Sequence, residues 1–269
     1  MVKMKAVIYN KKSPTEKLEY VDIEIPSPND NEILVKIYAT SINALDYRSK
    51  RMGIIPKRKI FGADIAGIVE SVGKNITKFK AGDEVVGDLS DCGLGGFAEY
   101  TVCPEIALIL KPTNISFEEA AAFPVAATTA IRGIRYIENL QKGHHVLIVG
   151  SSGGVGTFAV QLAKHFGAEV TAVCSTKKID HTKALGADHC IDYLKDDFTK
   201  NDKRYDLILA INGSYSLSAY KRILKNNGTY VMIGGGMKQI IKSILFGKLM
   251  SLGSKKMRFL SAKSNRKDL

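Results

Sequence analysis

Val146-Leu147-Ile148-Val149-Gly150-Ser151-Ser152-Gly153-Gly154-Val155-Gly156 is the stretch whose reading decides the fold. Four apolar residues run into a glycine-rich turn, and from residue 157 to 166 apolar side chains recur at helical spacing. A strand, a glycine turn and a helix in this order hold a pyrophosphate at the helix N-terminus, where unbonded N–H groups and the helix dipole favour an anion. Gly153 lets the backbone approach the phosphates, and Gly156 lets helix and strand pack closely. Ser151 stands where the strict pattern has its first glycine. Ser152, Gly153, Gly154, Val155 and Gly156 are therefore the candidate phosphate contacts.

Downstream, strands expected at 169–174, 189–191, 206–211 and 229–233 alternate with helices at 179–185 and 216–224. Such alternation makes a doubly wound parallel sheet covered on both faces. Upstream the pattern is different. Short runs at 4–9, 32–39, 64–72, 84–87 and 97–103 lie between turn signals, with no regular helix among them, and predict a compact β-rich barrel. Ser116 caps a helix that opens with Glu118 and Glu119, and Pro124 opens another reaching about residue 136. The expected class is α/β: a β-rich domain at 1–122 and a dinucleotide-binding domain at 123–269.

The end of the strand after the glycine turn selects between cofactors. An NAD enzyme places an Asp or Glu there for the ribose 2′-hydroxyl. This chain has Cys174-Ser175-Thr176-Lys177-Lys178. Hydroxyls and ammonium groups suit a 2′-phosphate, no acid stands at this strand end to repel it, and NADPH is the expected cofactor. Ser175, Thr176 and Lys178 are its candidate contacts.

The bulk properties are permissive. The chain has 269 residues, 45% of them hydrophobic, which is enough to bury a substantial core. The four cysteines, Cys92, Cys103, Cys174 and Cys190, are scattered, which argues against a disulfide framework or a compact metal site. The five histidines, His144, His145, His165, His181 and His189, offer no evident shared ligand face. The N-terminus alternates like a strand and does not resemble a signal peptide, and no apolar run could span a bilayer, so a cytoplasmic address is expected. Of the net charge of +12, a balance of +8 falls in 238–269, where nine Lys and Arg face only Asp268. A solvated surface is the plainer reading of that excess; phosphate, nucleic acid or membrane contact is the sharper one. Residues 240–250, apolar with interspersed lysines, could lie along a membrane interface or face a substrate pocket or dimer partner.

Gly143-His144, Leu147, Ser151 to Gly154, Gly156, Gln161 and Lys164 together resemble the signature of the zinc-free quinone oxidoreductases of the zeta-crystallin type. These belong to the medium-chain dehydrogenase/reductase superfamily. The likeness extends over Gly67 to Gly73, Phe79, Gly82-Asp83, Gly95 to Tyr100, Pro124 and Thr129-Ala130. It implies a GroES-like catalytic domain followed by a Rossmann domain, and a homodimer. It also implies that Asn43 and Thr129 lie near the nicotinamide ribose, and the backbone of Ile233, Gly234 and Gly235 near the carboxamide. Where zinc-dependent relatives carry a catalytic Cys and the His of a Gly-His-Glu motif, this chain has Asn43 and Gly62-Ala63-Asp64. Alanine cannot ligate, and asparagine is a poor zinc ligand, so no metal is expected.

The implied activity is NADPH-dependent reduction of a quinone or α,β-unsaturated carbonyl. Tyr47 is the best-placed proton donor by sequence; Asp46, Arg48 and Lys50 are nearby, and water could serve. Relatives of this type continue past the position of Leu269 with a return to the catalytic domain. Residues 259–265 resemble the last Rossmann strand and its exit, and 265–269 the start of a helix, so this return is expected to be missing. A catalytically weak or inactive dinucleotide-binding protein, with nucleic acid on its basic C-terminal part, is the rival reading.

Overall fold

The computed structural model describes residues 2–12, 17–260 and 267–269. The chain divides into two compact units, the first reaching Thr128 and the second beginning at Thr129.

In the first unit, β1 (Lys3–Tyr9) and β2 (Leu18–Glu24) form an antiparallel pair. β3 (Glu32–Ser41), α1 (Ala44–Arg51), β4 (Asp64–Val72), β5 (Glu84–Asp88), β6 (Tyr100–Pro104) and β7 (Leu108–Leu110) follow. Their strands make an antiparallel sheet in the order β6-β3-β4-β5-β7. Ile33, Val35, Ile65, Val69, Val85 and Leu108 fill one core of the unit. α2 (Phe117–Ala121) is capped reciprocally: Glu119 N–H donates to the Ser116 hydroxyl at 3.1 Å, and Ser116 N–H to the Glu119 carboxylate at 2.9 Å. α3 (Pro124–Ile134) then carries the chain into the second unit.

Three elements here depart from the sequence reading, the first being β7, a three-residue strand at Leu108–Leu110 too short to show a pattern. β2 was not anticipated; its residues Leu18-Glu19-Tyr20-Val21-Asp22-Ile23-Glu24 alternate, but no position is fully buried and the apolar signal is diluted by acids. The β-rich run is also interrupted by α1, which has little apolar periodicity. Its signal is at the ends: Asn43 N–H donates to the Asp46 carboxylate at 2.7 Å, and Arg48, Lys50 and Arg51 stand in the last turn.

The second unit alternates β8 (His145–Val149), α4 (Gly154–His165), β9 (Glu169–Cys174), α5 (Ile179–Ala184), β10 (His189–Asp192), β11 (Tyr205–Ala210), α6 (Leu217–Arg222), β12 (Leu224–Met232), α7 (Met237–Met250) and β13 (Lys256–Phe259). All strand pairs are parallel, in the order β10-β9-β8-β11-β12-β13. Numbered from β8, that is the 3-2-1-4-5-6 order of a Rossmann sheet, which reverses direction between β8 and β11. Successive side chains of one strand serve opposite cores. Val146 and Ile148 pack with Ala159, Val160 and Ala163 of α4; Leu147 and Val149 pack with Phe198, Leu217 and Tyr220 on the other face.

Strand and helix ends moved by a few residues. α4 begins at Gly154 rather than 157, because glycine-rich sequence hides a helix start that a phosphate site requires. β12 begins at Leu224 rather than 229, and the last strand lies at Lys256–Phe259 rather than from 259 onward. The exit expected through 265 and the helix start at 265 fall largely on 261–266, outside the described residues. His145 and His189, far apart in sequence, both face Glu169 at 3.7 and 2.9 Å, where β8, β9 and β10 begin, at the end of the strands opposite the glycine turn.

Ile148 lies at the centre of the sheet with no exposure, whereas Ile106 is 62% exposed. Ile148→Ala is expected to cost about 2–5 kcal/mol of unfolding free energy, and Ile106→Ala less than about 0.5. Urea unfolding monitored by circular dichroism checks the contrast; equal losses would contradict the assigned core.

Candidate functional site

The glycine turn is shaped by three constraints. Gly150 takes φ +86°, a left-handed conformation that brings the chain out of β8. Its N–H and that of Ser151 both donate to the Val173 carbonyl of β9, at 3.1 and 3.2 Å. Ser151 is fully buried, and its hydroxyl donates to the same carbonyl at 3.1 Å. The serine at the first-glycine position thus ties the turn to the neighbouring strand. Gly156 is the third constraint: a Cβ there would lie 2.6 Å from the Ser151 backbone and collide with the Gly150 carbonyl. Ser152, Gly153 and Gly154 lie on the open side, exposed or half-buried, while the half-buried Val155 packs against the core of the unit. The first-turn N–H groups of α4 have no carbonyl one turn earlier to bond, so the turn is a cradle suited to a pyrophosphate.

Beside the turn is a cavity of about 260 Å³, lined by Val149, Gly150, Val173, Tyr193, Asn212 and Tyr215 among others. It opens where β8, β9 and β11 end, at the point where the strand order reverses. Tyr193 is 51% exposed, and Phe198 meets Tyr215 edge-on with ring centroids 4.6 Å apart. An aromatic-lined slot beside a pyrophosphate cradle suits a flat heterocycle. Tyr193, Asn212 and Tyr215 were not singled out from sequence. Their signal was position, immediately after β10 and β11, but strand ends cannot be placed from sequence closely enough to use it.

After β9, Ser175 is half-buried and Thr176, Lys177 and Lys178 are exposed on a short 3-10 turn. The acid that β9 lacks is supplied by the next strand. Asp192, at the end of β10 and in register with Cys174, accepts a short hydrogen bond from the Thr176 hydroxyl. That bond, with the Leu194 N–H at 3.1 Å, holds its carboxyl below the usual carboxylate range. The view that no acid opposes a 2′-phosphate is therefore corrected: an ionised carboxylate is anchored to one of the proposed contacts. Ile233 and Gly234 donate to the Ala210 carbonyl at 3.0 and 3.1 Å, which fixes the loop after β12 against the end of β11. Thr129 is half-buried on α3.

In the first unit, Asn43 belongs to a buried polar cluster. Its side-chain amide donates to the Asp64 carboxylate at 2.8 Å and to the Ser41 hydroxyl at 3.2 Å, and Ser41 itself donates to Asp64 at 2.6 Å. The other oxygen of Asp64 accepts the Val125 N–H at 2.8 Å. With its amide nitrogen so engaged, Asn43 turns its side-chain oxygen toward the Asp46 N–H in a reciprocal cap of α1. Asp64 has no exposure, and burial pushes its carboxyl up to about 6, against the pull of Ser41, Asn43 and Val125. Asp46 is structural: it accepts from Asn43 N–H and, at 3.0 Å, from Gly62 N–H. Tyr47 stands on α1 with 57% exposure.

Two family models match the chain: the alcohol dehydrogenase GroES-like domain over residues 29–113 and the zinc-binding dehydrogenase over residues 154–264. A chloroplast envelope quinone oxidoreductase homolog of Arabidopsis thaliana is 37% identical over 233 residues, 81% of this chain and 71% of the relative. An NADPH-dependent alkenal/one oxidoreductase of the same plant's chloroplast is 34% identical over 248 residues, 87% of this chain and 63% of the relative. Among solved structures, the quinone oxidoreductase from Coxiella burnetii superposes with a TM-score of 0.86 at 28% identity, covering 99% of this chain and 85% of that one. The GroES-like and Rossmann assignments drawn from sequence agree with these matches.

Two outcomes test the electrostatics. Because the folded carboxyl of Asp64 holds its proton up to about pH 6 and the unfolded one releases it near 4, stability from this group is full below pH 4 and lost as pH rises through 6. The loss is at most about 2–3 kcal/mol for a shift of this size. Asp64→Asn should flatten the fall in urea midpoint between pH 4 and 7; an unchanged slope would contradict the buried titration. Asp192→Asn, which removes the anion beside Thr176, should tighten 2′-phosphorylated relative to unphosphorylated dinucleotide by about tenfold in calorimetric titration. An unchanged ratio would place the 2′ position elsewhere.

Proposed function

The chain belongs to the medium-chain dehydrogenase/reductase superfamily of dinucleotide-binding oxidoreductases, and from that premise we propose that it is an NADPH-dependent reductase of quinones or α,β-unsaturated carbonyls that works without zinc. The observation that carries the cofactor reading is the exposed turn Ser175-Thr176-Lys177-Lys178 beside the α4 N-terminus. A helix N-terminus draws the pyrophosphate, and two ammonium groups with adjacent hydroxyls suit a phosphate at the 2′ position despite Asp192, whose charge is engaged by Thr176. The acceptor class follows the relatives, one named a quinone oxidoreductase homolog and the other an NADPH-dependent alkenal/one oxidoreductase.

The zinc-free reading rests on donor chemistry. Ala63 has no ligating atom, and the Asn43 amide is committed to Asp64 and Ser41. Among the described residues no three His, Cys, Asp or Glu side chains converge as a metal site would need. Without a Lewis acid, an acceptor that is already conjugated is the easier substrate.

Bound NADPH supplies a hydride; the chain must supply orientation and hydrogen bonds to the acceptor oxygen on which negative charge develops. Asn43, held by Asp64 and by the cap of α1, is the proposed neighbour of the nicotinamide ribose, a role that rests on the family resemblance. The exposed phenol of Tyr47 is the proposed proton donor, with water as its substitute. The four cysteines are free thiols, two of them buried, which suits a reducing compartment such as the cytoplasm. A homodimer is part of the same proposal and rests on the family resemblance.

Absorbance at the NADPH band, followed with a panel of quinones and enones in the presence of a chelator, tests the reading. Turnover that survives chelation is expected. Lys177→Ala/Lys178→Ala should raise the KM for NADPH about tenfold or more and leave that for NADH near its starting value. Turnover that requires added zinc, or equal losses for both cofactors, would contradict it.

A further inference from the structure

The end of α1 and the turn that follows it carry a strip of cations that the fold does not neutralise. Residues 47–60 hold six cations, Arg48, Lys50, Arg51, Lys57, Arg58 and Lys59, and no acid. Among the described residues only Arg58 meets an acid, Glu32 at 3.8 Å, and the other five form no ion pair. Tyr9 at the end of β1 gathers the two halves of the strip. Lys50 Nζ lies 5.7 Å from the centre of its ring, and its N–H donates to the Lys59 carbonyl at 2.8 Å. Lys59 takes φ +61°, a left-handed conformation that a glycine would hold at lower cost, and its own N–H donates to the Pro56 carbonyl at 2.8 Å. The strip begins on the outer face of α1: Asp46 and Ser49 are buried, whereas Tyr47 and Arg51, four residues apart, are exposed. Met52 and Ile54, 47% and 60% exposed, lie between its two halves.

We propose that this strip selects conjugated acceptors that carry phosphate groups, the chemistry of an α,β-unsaturated acyl thioester on phosphopantetheine. The proposal rests on the reductase reading and narrows its substrate. Position ties the anion to the acceptor: Arg51 stands one helical turn, about 6 Å, beyond Tyr47, the proposed proton donor, on the same face. Charge sets its kind. A neutral quinone gains nothing from five unanswered cations, and a single carboxylate needs no more than one or two of them. Guanidinium and ammonium groups spread over two segments suit several phosphate oxygens. The exposed Met52 and Ile54 suit the less polar arm between thioester and phosphate. The acceptor's β-carbon takes the hydride of NADPH, and its double-bond electron pair moves to the thioester oxygen as an enolate. The α-carbon then takes a proton from water, directly or relayed through Tyr47, which leaves a saturated thioester and NADP+.

Initial rates with NADPH test it on three forms of one enoyl group: crotonyl-coenzyme A, crotonyl phosphopantetheine on an acidic acyl carrier protein, and crotonyl-N-acetylcysteamine, which has the thioester and no phosphate. At low salt kcat/KM for at least one phosphorylated form should exceed that for the N-acetylcysteamine ester about tenfold or more, and the better of the two identifies the carrier. The excess should shrink at about 1 M salt, where the screening length falls to about 3 Å. Arg51→Gln/Lys57→Gln/Lys59→Gln should bring the ratio to about one, with the thermal unfolding midpoint in place because all three side chains are exposed. A ratio near one in the unaltered chain, or one that survives the substitutions, would overturn the proposal. Turnover of 1,4-benzoquinone in the same buffer reports on the reductase reading separately. If neither the quinone nor any ester turns over, calorimetric titration of crotonyl-coenzyme A into the chain with saturating NADP+ decides whether the strip binds the phosphorylated thioester. Affinity about tenfold lower in the triple variant supports it; equal affinity or no binding overturns it.

Discussion

Everything at the nucleotide end of the second unit depends on the closeness of α4 to β8. Gly156 has no room for a Cβ, because the Ser151 backbone and the Gly150 carbonyl already occupy that space. This contact aims the start of α4 at the open side of the turn and sets the helix close enough for Ala159, Val160 and Ala163 to bury against Val146 and Ile148. Small residues on the helix face are the counterpart of branched residues on the strand: the core is thin where the phosphate cradle must be tight. The same register leaves the ends of β8, β9 and β11 around one cavity, so packing and binding geometry have a common origin.

Two buried carboxylates show how placement alone separates chemical roles. Asp64 lies wholly inside the first unit, and burial outweighs its three donors, so its carboxyl is pushed up to about 6. Asp192 is nearly as covered, but the Thr176 hydroxyl and nearby N–H groups pull its carboxyl the other way. The first holds Asn43 in a fixed orientation and gives up its proton only as pH rises through about 6. The second remains an anion beside the turn that carries Lys177 and Lys178, and it sets a counterweight to any 2′-phosphate bound there.

Much of this was legible in the sequence where periodicity and glycine spacing coincide. The run from Val146 to Gly156 identified the dinucleotide unit because a buried parallel strand reads as an unbroken apolar run. α1 escaped notice because its information lies in Asn43 and Asp46 at its cap rather than in an apolar stripe. Asp192 and Tyr193 escaped because their importance comes from strand register: β10 places them beside β9, and no local pattern states which strand will be the neighbour. The Asn43–Asp64 pair was hidden similarly, by 21 residues of separation and the antiparallel pairing of β3 with β4. Sequence proximity suggested Asp46 as a chemical group near Tyr47, whereas the fold spends both its oxygens on backbone N–H groups.

The central claim is that a dinucleotide lies on the turn after β8 at the point where the sheet order reverses. Hydrogen–deuterium exchange with and without saturating NADPH measures this directly. Slowed exchange concentrated in residues 150–157, 175–178 and 212–215, with no change at the opposite end of the strands around His145 and His189, is the expected result. Exchange unchanged across 150–157 while NADPH is bound would contradict the account.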